Sequence, residues 1–389
     1  MKTDTLIVHA GRHPEDHHGV VNPPVYRFST VLHPTVRELE DSGRTRFDRV
    51  TYGRYGSPTT FALEEAVAAL EGGYRSIATP SGLAAITGAL TAFLKTGDHV
   101  LVTDSAYFPT RRFCDDILTG YGISVTYYDP LIGGGIAALM TPRTRVVLVE
   151  SPGSLTFEIQ DIPAIAEAAH AHGAIVIMDN TWASPLFFRP FDKGVDVSLQ
   201  AATKYIVGHS DAMLGIITTA TEEHFHRIKT SVSTFGFSVG SEEAYLGLRG
   251  LRTLGARLRQ HQETGILLAH WLRGRPEVAH VMHPALKEDP GHRLWFRDFS
   301  GASGLFGVCL KPVRKEAVDA FLDSLSLFGM GYSWGGYESL IIPTTGAIVR
   351  TATRWDPPGP TLRLHAGLET PDDLIADLDQ GFDVMRRMA

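Results

Sequence analysis

The chain has 389 residues, with 36 lysines and arginines against 43 aspartates and glutamates, a formal charge of −7 and 43% hydrophobic residues. Its basic residues are scattered and form no run, which excludes nucleic acid and anionic membrane as partners. Cys114 and Cys309 lie far apart without a Cys-x-x-Cys neighbour, no window approaches a membrane span, and the apolar patch Leu6-Ile7-Val8 is too short for a signal peptide, so the expected setting is a reducing cytoplasm.

The length exceeds what one core usually holds and predicts one large and one smaller domain. Residues 1–56 carry His, Pro and Gly with little periodicity and read as an arm lying on another surface, which points to an oligomer. The histidines there, His9, His13, His17 and His18, suit no structural zinc spacing, and no metal site is expected.

From Pro58 the pattern alternates. A helix over Phe61–Leu70 leads to a strand at Ser76-Ile77-Ala78, and Ser81-Gly82 opens a helix running to Leu94. A strand His99–Val102, a helix Arg112–Leu118, strands Ile123–Tyr127 and Val146–Val149, a helix Ile162–His170 and a strand Ile175–Asp179 follow. Two further strands, Val195–Leu199 and Leu214–Thr218, flank the segment that contains Lys204. Strands alternating with helices, several uniformly apolar, predict a mostly parallel sheet covered on both faces. A helical region Glu242–Leu272, with a leucine stripe, is expected to cross into a smaller α+β domain. That domain has strands Leu305–Leu310 and Thr361–His365 and helices Lys315–Leu325 and Pro371–Met385. The expected division is an arm of 1–56, a large domain of 57–250 and a C-terminal domain of 251–389.

Two residues fall where such a sheet binds ligands, beyond the carboxyl ends of its strands. Asp179 closes one strand, and Lys204 follows another. A lysine able to form a Schiff base, paired with a carboxylate that keeps a pyridine nitrogen protonated, is the arrangement that pyridoxal 5'-phosphate chemistry requires. Taken singly, each is equally an ordinary solvated lysine or a capping aspartate.

The surrounding stretches carry a resemblance. They are Tyr52-Gly53-Arg54-Tyr55-Gly56-Ser57-Pro58-Thr59, Pro80-Ser81-Gly82-Leu83-Ala84-Ala85, Glu150-Ser151-Pro152-Gly153-Ser154, Asp179-Asn180-Thr181-Trp182, Ala202-Thr203-Lys204-Tyr205 with Gly208-His209-Ser210-Asp211, and Tyr332-Ser333-Trp334-Gly335-Gly336-Tyr337-Glu338-Ser339-Leu340. In this order they resemble the Cys/Met-metabolism family of pyridoxal phosphate enzymes over nearly the whole chain, and most closely its carbon–sulfur β-lyases. The resemblance implies an aspartate-aminotransferase-like α/β fold (PLP fold type I), a tetramer of two dimers that share active sites, and a small sulfur amino acid as substrate. The implied reaction is β-elimination from L-cystathionine. The alternatives on the same scaffold are γ-elimination, γ-replacement and cysteine-S-conjugate lysis. Many relatives have serine where this chain has Ala201, so any phosphate must lean on other donors.

The resemblance also implies roles. Lys204 would hold the cofactor and move the Cα proton, and Asp179 would pair with the pyridinium nitrogen. Gly82 and Leu83, at a helix start, would offer amides to the phosphate, with Thr203 adding a hydroxyl. Tyr52 and Arg54 would reach the phosphate of a neighbouring subunit. Tyr107 matches the tyrosine that stacks on the cofactor ring and assists proton transfer, and to take the first proton in place of Lys204 its phenol would need a shifted pKa. Arg363, set opposite Leu362 and Leu364 by strand alternation, suits bidentate capture of the substrate carboxylate. Ser333 and Trp334 would complete that pocket, and Tyr332 would shape the side-chain pocket.

Two rival readings remain in view. Gly331-Tyr332-Ser333-Trp334-Gly335 fits Gly-x-Ser-x-Gly, with Asp356 and His365 downstream, but its continuation is too rich in Gly, Ile and Pro to open the helix that a nucleophile elbow needs. A scaffold that kept the fold without the chemistry is disfavoured because Lys204, Asp179 and Arg363 are all present.

Overall fold

A computed structural model describes residues 1–388. Its eleven strands are β1 (Arg75–Thr79), β2 (His99–Thr103), β3 (Ser124–Tyr128), β4 (Thr144–Glu150), β5 (Ile175–Asp179), β6 (Val197–Gln200), β7 (Gly215–Thr219), β8 (Val278–Met282), β9 (Leu305–Leu310), β10 (Leu340–Pro343) and β11 (Thr361–His365). Seven form one sheet in the order β1-β7-β6-β5-β4-β2-β3, in which β7 alone runs against its neighbours. The other four form an antiparallel sheet, β10-β11-β9-β8.

The large sheet is apolar on both faces because helices cover both. Val147, Val149, Val176 and Met178 point into one core, while Val146, Leu148 and Ile177 point into the other. Each such fully buried aliphatic side chain contributes roughly 1.5–3 kcal/mol. Since β1, β2, β4, β5 and β6 are parallel, their carboxyl ends share one edge, and the chain leaves that edge through Gly82, Tyr107, Glu150, Asp179 and Lys204 in turn. One edge therefore gathers residues up to 122 apart in sequence without any of them being neighbours.

The smaller sheet buries Phe306, Val308, Leu310, Ile341, Leu362 and Leu364 against the helices Lys315–Asp323 and Pro371–Met388. Period-two alternation turns Arg363 and His365 to its opposite face.

Several local expectations need correction. The region Glu242–Leu272 is two helices, Ser241–Leu251 and Leu254–Arg273. At the break, Gly250 packs so closely on Ile206 and Val207 that a Cβ would fall 2.2 Å from the Val207 carbonyl oxygen. Arg257 also donates to the Gly250 carbonyl at 2.7 Å. The expected helix Arg112–Leu118 is a short α-helix, Phe108–Arg112, followed by π-helical turns over Phe113–Leu118. The helix Glu222–Thr234 and the strands β8 and β10 add to the expected set. The arm contains the helices Thr3–His9 and Val36–Ser42. Its first turns are tied to the same chain, Arg252 donating to the carbonyls of Ile7 and Ala10 at 2.7 and 2.8 Å. Leu32, Val36 and Leu39 stay exposed.

Candidate active site

The helix Gly82–Phe93 begins beyond β1, with Ser81 as its cap, accepting from the Ala84 amide at 3.1 Å. The amides of Gly82 and Leu83 ahead of it donate to no acceptor among the described residues. They leave the positive end of a three-turn helix open to an anion. Gly82 rests on Ala201: a Cβ there would lie 2.5 Å from the Ala201 Cβ. The small residues at both positions keep this approach close, and the Thr203 hydroxyl beyond them is engaged with Leu214, donating to its carbonyl at 3.1 Å and accepting its amide at 2.8 Å.

Asp179 ends β5 with one carboxylate oxygen anchored. Oδ1 accepts from the Thr181 amide at 3.0 Å and the Thr181 hydroxyl at 2.5 Å, while Oδ2 has no partner among the described residues. Burial pushes its pKa up, against the pull of Thr181 and of the Lys204 charge. Thr181 Oγ1 also accepts the Ala201 amide at 2.8 Å, so one threonine fixes both the carboxylate and the start of the lysine turn.

Lys204 sits in that turn, its amide bonded to the Ala201 carbonyl at 2.9 Å and its carbonyl accepting the Gly208 amide at 2.8 Å. Nζ donates to Ser333 Oγ at 2.8 Å and stands 5.4 Å from the Trp334 ring centroid. Burial lowers its pKa to about 8, the Arg363 charge adding to the effect and Asp179 opposing it. Arg363, only 7% exposed, gives Nη2 to the carbonyls of Gly331, Tyr332 and Ser333 at 3.0–3.1 Å. Its Nε and Nη1 donate to no acceptor among the described residues, which leaves guanidinium donors for a carboxylate.

The loop after β2 brings in Tyr107, whose amide donates to Glu150 Oε2 at 2.7 Å. Its phenol is raised above its ordinary pKa by burial and by the charges of Glu150 and Asp179. Glu150 was not singled out by the sequence, yet it stands in register with Asp179. Burial, then the Asp179 charge, pushes its carboxyl well above the usual range. The signal was available: Glu150 ends β4 as Asp179 ends β5.

Lys204 thus meets Ser333 and Trp334 directly, Arg363 joins through Ser333, and Asp179 through Thr181 and Ala201. Three expected residues stand apart. The Tyr332 side chain is 94% exposed and contributes only its carbonyl. Arg54 donates to the Ser233 carbonyl and, with Arg46, Phe47 and Tyr55, lines a separate cavity of about 350 Å³, and Tyr52 lies beside it, half exposed. The hydrolase arrangement does not form, because His365 Nε2 accepts the Gly335 amide at 3.0 Å rather than the Ser333 hydroxyl.

An open helix end for a phosphate, a buried carboxylate with one free oxygen, and an amine of lowered pKa are a donor set that fits pyridoxal 5'-phosphate. With the two-sheet architecture, they define a PLP-dependent enzyme of the aspartate-aminotransferase fold. Residues 4–383 match the family described as Cys/Met metabolism PLP-dependent enzyme. A cystathionine beta-lyase of Escherichia coli (strain K12) is 45% identical over 98% of each chain. An L-alanine/L-glutamate racemase of Wolbachia pipientis wMel is 40% identical over 97% of this chain and 96% of its own. The crystal structure of a cystathionine gamma synthase from Xanthomonas oryzae pv. oryzae, in complex with aminoacrylate and cysteine, superposes with a TM-score of 0.91 at 33% identity and covers all of both chains. The chain belongs to the Cys/Met metabolism PLP-dependent enzyme family.

Proposed function

We propose that the chain is a carbon–sulfur β-lyase that cleaves L-cystathionine to homocysteine, pyruvate and ammonia. The observation that carries this reading is the Lys204 amine, lowered to about 8 and held by Ser333 beside Arg363 and Asp179. The cystathionine beta-lyase among its relatives supports the choice of reaction.

When bound, pyridoxal phosphate supplies an electron sink that acidifies the Cα–H of an amino acid joined to it. The chain's residues do the rest. Lys204 Nζ would hold the cofactor, and as a free amine, neutral over a useful fraction of molecules near pH 8, it would take the Cα proton. Asp179, through its free Oδ2, would keep the ring nitrogen charged, and Thr181 prevents the carboxylate from rotating away. Gly82 and Leu83 would hold the phosphate, and Thr203 supports the turn from behind. Arg363 takes the substrate carboxylate on its guanidinium, with Ser333 and Trp334 closing the pocket. Tyr107 serves as a stacking face, since its raised pKa disfavours it as the first base. Tyr52 and Arg54 act on the phosphate of a neighbouring subunit, in a tetramer of two dimers. The arm 1–56, large domain 57–250 and small domain 251–389 are the units of this reading.

Purified protein given L-cystathionine tests it: homocysteine with pyruvate is expected, whereas cysteine with 2-oxobutyrate would overturn β-elimination in favour of a γ-reaction. A second reading, amino-acid racemisation, is favoured by the Wolbachia relative. Chiral analysis of L-alanine incubated with the same preparation decides it.

A further inference from the structure

Strand β11 reaches the loop Gly331–Glu338 with two side chains from one face, Arg363 and His365. Arg363 takes the loop's carbonyls. His365 takes an amide and a carbonyl at once: the Gly335 N–H donates to Nε2 at 3.0 Å, and Nδ1 lies 3.2 Å from the Glu338 carbonyl. An amide can only donate, so Nε2 is the bare nitrogen and Nδ1 carries the proton. A single neutral tautomer satisfies both contacts.

We propose that His365 is a positioning residue, a fixed-tautomer clamp that seats Gly335 on the Lys204 turn and thereby holds Ser333 Oγ at the Lys204 amine. Its catalytic part rests on the β-lyase reading above.

The seat is tight. Gly335 has φ +86°, and a Cβ on it would fall 2.9 Å from the Lys204 carbonyl carbon. A Cβ on Gly336 would fall 2.1 Å from Ser210 Oγ, and that hydroxyl bonds Glu338 Oε1 at 2.6 Å. At Gly335 the loop therefore rests on the backbone of the lysine turn, and at Gly336 on the Ser210 side chain. Arg363 holds three of its carbonyls through Nη2 alone, and a substrate carboxylate competes for the same guanidinium. His365 has no such second duty, so its grip on Gly335 is unchanged when substrate arrives. The ring is sealed from solvent, against Tyr205 and His261, and His261 is itself fixed by the Ala366 carbonyl at 2.8 Å. Burial, followed by the charges of His261, Arg363 and Lys204, keeps it unprotonated.

The test compares His365→Leu with His365→Gln, whose amide oxygen can still accept the Gly335 N–H. Two quantities are read: amide hydrogen exchange of residues 331–338 in cofactor-free protein, and cystathionine turnover per bound cofactor. His365→Leu should speed exchange there about tenfold or more, and lower kcat by a similar factor while KM moves much less. His365→Gln should recover most of both. Native exchange and native kcat in His365→Leu, or equal losses in the two variants, would overturn the clamp. If the wild type fails to cleave cystathionine, the β-lyase reading falls and the exchange data alone decide the clamp. Should His365→Leu not fold, the nitrogen resonances of His365 in native protein decide: Nε2 must stay unprotonated from about pH 5 to 8, and a protonated Nε2 would refute the assignment.

Discussion

A lysine that loses its proton near pH 8 is a different reagent from one on a surface, because the free amine is the nucleophile. Burial moves Lys204 from the ordinary 10.5 to about 8. With its folded pKa below its unfolded one, the unfolded chain binds a proton that the folded chain lacks between those two values. This group therefore adds stability to the cofactor-free protein as pH rises from about 8 to 10.5. The same shift sets reactivity. Uptake of pyridoxal phosphate by cofactor-free protein, followed by absorbance, should rise about tenfold per pH unit below about 8 and flatten above it. A rate still climbing at pH 10 would assign the chemistry to an ordinary lysine. Arg363 gives a second residue-scale expectation. Its replacement by Ala should leave cofactor content intact and raise KM for cystathionine about 100-fold, the worth of a charge-assisted pair of about 3 kcal/mol. Arg363→Lys should recover little, since an ammonium cannot offer the fork. Unchanged KM in either variant would place the substrate carboxylate elsewhere.

At the scale of elements, the loop between β2 and Tyr107 is latched to the segment that joins β10 to β11. Buried Asp104 pairs with buried Arg111 and accepts the amides of Thr351, Ala352 and Thr353 at 2.8–3.2 Å, along with both threonine hydroxyls. Burial alone would raise its pKa, but the bonds from Thr351, Thr353 and Arg111 outweigh it and the net shift is downward. The stabilisation is therefore complete above the ordinary carboxylate range and is lost as pH falls through the lower folded value. Asp104→Asn strands the Arg111 charge and should cost about 3–5 kcal/mol at neutral pH, seen as an earlier denaturant midpoint at unchanged slope. Its deficit against wild type should shrink below about pH 4. A deficit of the same size at acid pH would mean that charge is not what holds the latch. Contacts of this kind explain what was legible in the sequence. Asp179 and Lys204 could be found because apolar strands end beside them, and Arg363 because its neighbours alternate with it. Asp104 and His365 could not be found in the same way. The backbone donors to Asp104 lie 247 to 249 residues downstream, and the ligand of His365 is a backbone amide 30 residues upstream that carries no side-chain signal. The helix Glu222–Thr234 was hidden by its polar residues, although Phe225, Ile228 and Val232 mark its buried stripe.

For the molecule as a whole, the decisive question is why Tyr52 and Arg54, whose stretch was legible in the sequence, lie away from Lys204. Arg54 faces the helix Glu222–Thr234 and shares a cavity with Arg46, while Leu32, Val36 and Leu39 of the arm remain uncovered. An isolated chain gains nothing from either arrangement: it keeps apolar side chains in water and leaves a guanidinium at a cleft of its own. Both make sense if a second copy covers the arm and receives Arg54 at its phosphate site, and this is the two-chain site proposed above. The proposal predicts complementation. Lys204→Ala and Arg54→Ala should each be nearly inactive alone, the first lacking the amine and the second the phosphate contact. Denatured together and refolded, random pairing makes half the dimers mixed. Each mixed dimer has one site with an intact Lys204 from one chain and an intact Arg54 from the other, so the mixture should recover roughly a quarter of native activity. Sites confined to single chains would recover none, because every site in the mixture would still carry one of the two lesions. The readout is pyruvate formed per chain at saturating pyridoxal phosphate, with each variant refolded alone as the baseline, and a mixture no more active than those baselines removes Arg54 from the shared site.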